Sequence, residues 1–172
     1  MKKAIFLDRD GVLNNVKINN GKPFSPSSFK DFKLLPKVNS TIKKFKLLNY
    51  LCIVVTNQPD ISRGKISKNE VIKMNNFLKK QIEIDDLFVC YHDDDDKCEC
   101  RKPKPGLLFF AKKKWNIDFQ KSYLIGDREK DILAGNSAGC KTIFIDNDYG
   151  EKKPSSQNFT ITSLEQSLKI IK

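Results

Sequence analysis

The sequence predicts an α/β fold, a doubly wound and mainly parallel sheet with helices packed against it. Two observations predict it. Short apolar runs alternate with segments of helical spacing over most of the 172 residues, and four of those runs stop abruptly at polar residues suited to a site rather than a core. In such sheets ligands bind at the carboxyl ends of the strands, near the point where strand order reverses.

In chain order, Ala4 to Leu7 reads as a buried strand that stops at Asp8-Arg9-Asp10-Gly11. Gly21 to Ser28, with Pro23 and Pro26, reads as a loop or small flap. Val38, Ile42, Phe45 and Leu48 recur at helical spacing behind Pro36, a favoured helix opener. Leu51 to Val55 is the second strand, ending in Thr56-Asn57-Gln58. Ser67 with Glu70 is the expected capping box of a helix carrying Val71, Met74, Phe77, Leu78 and Ile82. Leu87 to Tyr91 is the third strand and leads into the polar stretch from His92 to Lys102. Pro105 opens a helix with Leu107, Phe110, Ala111 and Trp115 on one face. Tyr123 to Ile125 ends in Gly126-Asp127, Thr142 to Ile145 follows, and Phe159 to Ile161 is a weaker sixth strand. Asn147 to Gln157 is the expected surface loop before a final helix from about Ser163.

With 39% hydrophobic and 31% charged residues and no repeat, the chain is expected to form one domain over 1–172, with no insertion long enough for a large cap. Only four apolar residues follow the basic opening before Asp8, too few for a secretory h-region. No run approaches the ~18 apolar residues that span a bilayer. A cytoplasmic location and no membrane partner are expected. The formal net charge of +11 favours anionic partners. Much of it is lysine on presumptive helix faces, expected to be solvated, and no aromatic-interleaved basic stripe marks a nucleic-acid surface. The expected partner is a small phosphorylated metabolite, met by a monomer.

Asp8 and Asp10, separated by one residue at a strand end, fall on the same side of an extended chain. One carboxylate can attack phosphorus while the other gives a proton to the leaving oxygen and later activates water. Thr56 and Asn57 offer a hydroxyl, an amide and backbone N–H groups to phosphoryl oxygens. Asp127, at an expected helix start, suits a hard magnesium ion, and Asp131, four residues on, suits support behind it. Arg101 and Lys102 can meet the charge of a transferring phosphoryl group. Cys90, His92, Cys98 and Cys100 offer three thiolates and one imidazole, a tetrahedral set suited to structural zinc, whose expected task is to fold the loop presenting Arg101 and Lys102. Cys52 and Cys140 lie in or beside apolar runs and are expected in the core.

These residues together resemble the haloacid dehalogenase-like superfamily of phosphatases, whose four motifs match Asp8-Arg9-Asp10-Gly11-Val12, Thr56-Asn57, Lys102, and Gly126-Asp127 with Asp131. The resemblance covers residues from about 4 to 146. It implies Asp8 as nucleophile, Asp10 as general acid/base, Thr56 and Lys102 as phosphoryl stabilisers, and magnesium held by Asp8, the Asp10 backbone carbonyl and Asp127. Ser62-Arg63-Gly64, the cysteine loop and the run from Cys100 to Gly106 make the chain similar to the D-glycero-D-manno-heptose 1,7-bisphosphate 7-phosphatases, relatives of the histidinol-phosphate phosphatases. That similarity implies release of the 7-phosphate in the synthesis of cell-surface polysaccharide precursors, with Asn57, Gln58, Arg101 and Arg128 binding substrate. Pro59-Asp60 departs from the small residue and glycine frequent in the heptose enzymes. The alternatives are a histidinol-phosphate phosphatase, a nucleic-acid 3′-end phosphatase and, outside enzymes, a phosphoacceptor or zinc-stabilised binding module.

Overall fold

In the computed structural model, which describes residues 1–172, the apolar runs become a six-stranded, wholly parallel sheet covered on both faces. Its strands are β1 (Ala4–Leu7), β4 (Leu51–Asn57), β5 (Asp86–Cys90), β6 (Tyr123–Gly126), β7 (Lys141–Ile145) and β8 (Phe159–Ile161). They lie in the order β5-β4-β1-β6-β7-β8. The chain winds outward from β1 to β5, crosses back to β6, and winds the other way, so the reversal falls between β1 and β6. The register sets Leu7 beside both Val54 and Ile125, so β1 and β6 end close together while β4 runs on past them to Asn57.

Period-two alternation divides the core. Ile5, Leu7, Cys52, Val54 and Ile125 face α1 (Val38–Leu47) and α2 (Lys68–Gln81), which contribute Val38, Ile42, Phe45, Met74 and Leu78. Ala4, Phe6, Ile53, Val55 and Leu124 face α3 (Gly106–Trp115), which contributes Leu107, Leu108 and Ala111. Beside α3 lies α4 (Glu129–Ala138), packed on β6 and β7. Each large side chain here is fully enclosed, and truncating one such as Phe6 to alanine costs about 3–5 kcal/mol. Cys52 and Cys140 are buried as expected, and burial pushes both thiols up to about 12.

Several local readings change. The expected loop at Gly21 to Ser28 overlaps an antiparallel hairpin, β2 (Lys17–Asn19) and β3 (Lys22–Phe24). Its two-residue turn is Asn20-Gly21, both at positive φ, a pairing that sequence can reveal. The flanking strands are mostly exposed and lack the alternation that advertises a strand. Only half of the capping box forms: Ser67 Oγ accepts from Glu70 N at 3.3 Å, while the Glu70 carboxylate accepts from Phe29 N and Lys73 instead. The final helix is a short 3-10 segment, Leu164–Lys169.

Candidate active site

At the end of β1 Asp8 is buried, its side chain 9% exposed, with Oδ1 accepting from Arg9 N at 2.8 Å and lying 2.8 Å from Lys102 Nζ. That ammonium is fully enclosed and completes its set with Asp131 Oδ1 at 2.6 Å and Val55 O at 2.9 Å. Asp131 sits in the first turn of α4, where Oδ2 accepts from Arg128 N at 3.1 Å. Asp131 therefore holds Lys102 in place, and Lys102 bridges it to Asp8. The helix begins at Glu129, so Asp127 lies just before it rather than at its first turn.

Asp127 follows β6 across the sheet reversal. Its Oδ2 accepts from Tyr149 OH at 2.8 Å, and its Oδ1 is buried with no hydrogen-bond partner. Gly11, at φ +82°, passes so close that a Cβ there would stand 1.9 Å from Asp127 Oδ2. Carboxylate oxygens of Asp8, Asp127 and Asp131 lie within 4.8 Å of one another. Burial, then the Asp131 charge, raise the Asp8 carboxyl above its ordinary value despite Lys102. Burial, with the charges of Asp8 and Asp131, raises Asp127 further. Crowded, buried acids and one orphaned oxygen are what a hard divalent cation would satisfy, so the residues present fit magnesium.

Asp10 faces a different environment. Burial alone would raise it, but the Arg9 guanidinium and hydrogen bonds from Asn14, Gln58 and Ser25 hold its carboxyl below the usual range. Arg9 is fully buried, with Nη2 3.1 Å from Asp10 Oδ2, Nη1 donating to Asn75 Oδ1 at 2.9 Å, and its guanidinium over the Phe32 ring. Asn14 Nδ2, Ser25 Oγ and Gln58 Nε2 donate to Asp10 at 2.8, 2.9 and 2.7 Å. Gln58 Nε2 also donates to the buried Thr56 Oγ1 at 2.9 Å.

The four side chains expected to meet substrate are all engaged within the protein. Gln58 holds Asp10, and Asn57 pairs reciprocally with the Lys102 backbone, at 3.0 and 3.1 Å. Arg101 Nε donates to Asp94 Oδ1 at 2.7 Å, and Arg128 is in close contact with Glu151. Asn57 and Arg128 still line a narrow cavity of about 40 Å³ shared with Asp8, Asp10, Ser25 and Lys130. Two larger cavities, of about 310 and 370 Å³, lie behind the Asp8–Gly11 turn and contain none of Asp8, Asp10 and Asp127.

Cys90, at the end of β5, meets the other three expected zinc donors in the following loop. Its Sγ lies 3.7 Å from Cys98 Sγ, 3.1 Å from Cys100 Sγ and 3.6 Å from His92 Nδ1, with Cys98 and Cys100 3.5 Å apart. Ligands about 2.3 Å from a tetrahedral ion stand somewhat under 4 Å apart, so the set fits zinc. The tip of this loop, Asp93 to Asp96, is acidic. Asp94 pairs with Arg101 inside the loop, and Asp93 with Arg63, which ties it to the loop after β4.

The sequence reading missed Arg9, Asn14, Ser25, Asn75, Lys130 and Tyr149. Arg9 alone carried a signal, its place between the two aspartates. Asn75 and Tyr149 reach the site from α2 and the β7–β8 loop, which no local pattern foretells.

Comparison with known proteins accords with this geometry. Residues 99–165 match the HAD-hyrolase-like family. The chain is 33% identical to the D-glycero-beta-D-manno-heptose-1,7-bisphosphate 7-phosphatase of Pasteurella multocida, covering 100% of this chain and 98% of that protein. It is 34% identical to the D-glycero-alpha-D-manno-heptose-1,7-bisphosphate 7-phosphatase of Campylobacter jejuni, over 99% and 96% of the two chains. The crystal structure of D,D-heptose 1.7-bisphosphate phosphatase from B. bronchiseptica, complexed with magnesium and phosphate, shares its fold: TM-score 0.81, 24% identity, 98% and 99% coverage. The chain thus belongs to the haloacid dehalogenase-like phosphatases, in the D-glycero-D-manno-heptose-1,7-bisphosphate 7-phosphatase family.

Proposed function

We propose that the protein removes the 7-phosphate of D-glycero-D-manno-heptose 1,7-bisphosphate through an aspartyl-phosphate on Asp8, in a magnesium-dependent reaction. The observation that carries this reading is the buried Asp8 carboxylate, fixed through Oδ1 by Lys102 and the Arg9 N–H where β1 and β6 end beside each other. With Oδ1 held, Oδ2 is the oxygen left to attack phosphorus. Magnesium on Asp8 and Asp127, when bound, would neutralise the phosphoryl oxygens and lower the acids' crowding. Lys102 adds a fixed positive charge, and Thr56 stands beside it at the end of β4.

Asp10 is the general acid/base. Its hydrogen-bonded, ionised state suits the second half of the reaction, taking a proton from the water that attacks the aspartyl-phosphate. Arrival of a dianionic phosphate beside it favours the protonated form, which supplies the leaving alkoxide in the first half. Ser25, on the flap, and Gln58 are the donors a substrate hydroxyl can replace. The Cys₃His loop, read as a structural zinc site, sets the position of Lys102, two residues beyond Cys100. We read the protein as a monomeric cytoplasmic enzyme, a location that accords with five cysteines none of which is in a disulfide.

The test is steady-state phosphate release with magnesium from both anomers of the heptose bisphosphate, from histidinol phosphate and from a 3′-phosphorylated oligonucleotide. Selective turnover of a heptose anomer is expected. Preference for either of the other substrates overturns the heptose assignment, and no magnesium-dependent turnover of any overturns the enzyme reading.

A further inference from the structure

Asn147 lies just beyond β7, where the chain turns back toward the carboxylates at the ends of β1 and β6. Asp146 holds that turn, with Asp148 N donating to Oδ1 at 3.0 Å and Lys153 Nζ to Oδ2 at 2.8 Å. Asp148 sits at φ +55°, a left-handed conformation that aspartate tolerates. Asp146 N donates to Ile161 O at 2.8 Å and so fixes the start of the loop to β8.

One nitrogen of Asn147 serves two partners. Its Nδ2 donates to Gly11 O at 3.0 Å and to Tyr149 OH at 2.9 Å, one bond for each of its two protons. Gly11 O can only accept and takes no backbone donor, so the amide sits this way round. Tyr149 has a single hydroxyl proton, and because the oxygen accepts from Asn147, that proton goes to Asp127 Oδ2 at 2.8 Å. The direction of the chain from Asn147 through Tyr149 to Asp127 is therefore set at Asn147. The elements it joins are in close contact: a Cβ on Gly11 would stand 1.9 Å from Asp127 Oδ2 and 2.7 Å from Tyr149 OH. Asn147 is thus bonded to the Asp8–Gly11 turn on one side of this seam and, through Tyr149, to Asp127 on the other.

We infer that Asn147 is a positioning residue of the magnesium site, holding the turn after β1 against Asp127 so that the carboxylate oxygens of Asp8 and Asp127 stay within 4.8 Å of each other. This rests on the magnesium-dependent reading above. Asn147 is itself exposed and lines the cavities of about 310 and 370 Å³ behind the turn, so water can take over Gly11 O when the amide is removed, and the fold survives the loss.

The experiment measures magnesium binding to the free protein by calorimetry in the wild type, Asn147→Leu, Tyr149→Phe and the double variant. Asn147→Leu keeps the side-chain volume and removes both donors. It is expected to weaken magnesium binding roughly tenfold, with a thermal unfolding midpoint near that of the wild type. Because the two residues act on Asp127 along one chain, the loss in the double variant should fall well short of the product of the single losses. Wild-type affinity in Asn147→Leu, losses that multiply in full, or a weakening that comes only with a collapsed unfolding midpoint overturns the inference and leaves the magnesium-dependent reading intact. A wild type that binds no magnesium overturns both.

Discussion

The Cys₃His loop gathers its four donors within residues 90–100, whereas the carboxylate centre draws Asp8 and Asp127 from two separate strand ends and Lys102 from the loop before α3. The first is local, soft-donor and partly exposed; the second is long-range, hard-donor and almost sealed from water. The difference teaches that one centre can order with little help from the rest of the chain, while the other exists only when the sheet order is right. They meet at Lys102, which the local loop delivers to the long-range site.

The largest expected effect separates them in one direction. Asp8→Asn should lower magnesium-dependent phosphate release by about 10⁴-fold or more, as loss of a nucleophile does. Zinc content by atomic absorption and the thermal unfolding midpoint should stay at wild-type levels or above. A variant that also lost its zinc would show that the two centres are not separable.

Removal of the zinc proposed for the loop tests the opposite direction. Cys100→Ser, or a strong chelator, should release zinc and lower kcat by about 10- to 100-fold through misplacement of Lys102. Full activity in a zinc-free protein would mean that Asp131 and Val55 fix that lysine without the loop.

A smaller effect sits on the carboxylate side alone. Tyr149→Phe removes the hydrogen bond that fixes Asp127 Oδ2 and so frees the carboxylate whose Oδ1 is unpartnered. Magnesium affinity, read by calorimetry on the free protein, should weaken about tenfold, with kcat at saturating magnesium little changed. Equal affinities in the two proteins would remove Tyr149 from the account.

The smallest concerns Asp10. Its carboxyl is held below the ordinary value near ~4, so its contribution to stability is present above that value and is lost as pH falls through the depressed one. Denaturant unfolding should lose stability on that acid limb, and Asp10→Asn should flatten it.

Legibility follows the same divide. The spacing Cys90, His92, Cys98, Cys100 displays one centre outright, because a tetrahedral ion needs donors close in sequence or space and here they are close in both. The other was legible only as four strand ends, and it needed the sheet order to show that Asp131 serves Lys102 and that Gln58 serves Asp10. Buried apolar runs announced β1, β4, β6 and β7. The β2–β3 hairpin hid because its residues face solvent, and Tyr149 hid because its partner lies in another loop 22 residues away.

The hairpin's turn is fastened to the β7–β8 loop where Gly150 N donates to Gly21 O at 2.7 Å, a seam too close for a Cβ at either residue to fit comfortably. One such bond is worth about 1 kcal/mol in water, so the seam holds the hairpin tip only weakly. Gly21 sits at φ +72°, and a Cβ there would stand 3.1 Å from the Gly150 Cα, so Gly21→Ala should loosen the tip from the β7–β8 loop and raise amide exchange at Gly150 while leaving the carboxylates of Asp8 and Asp127 in place.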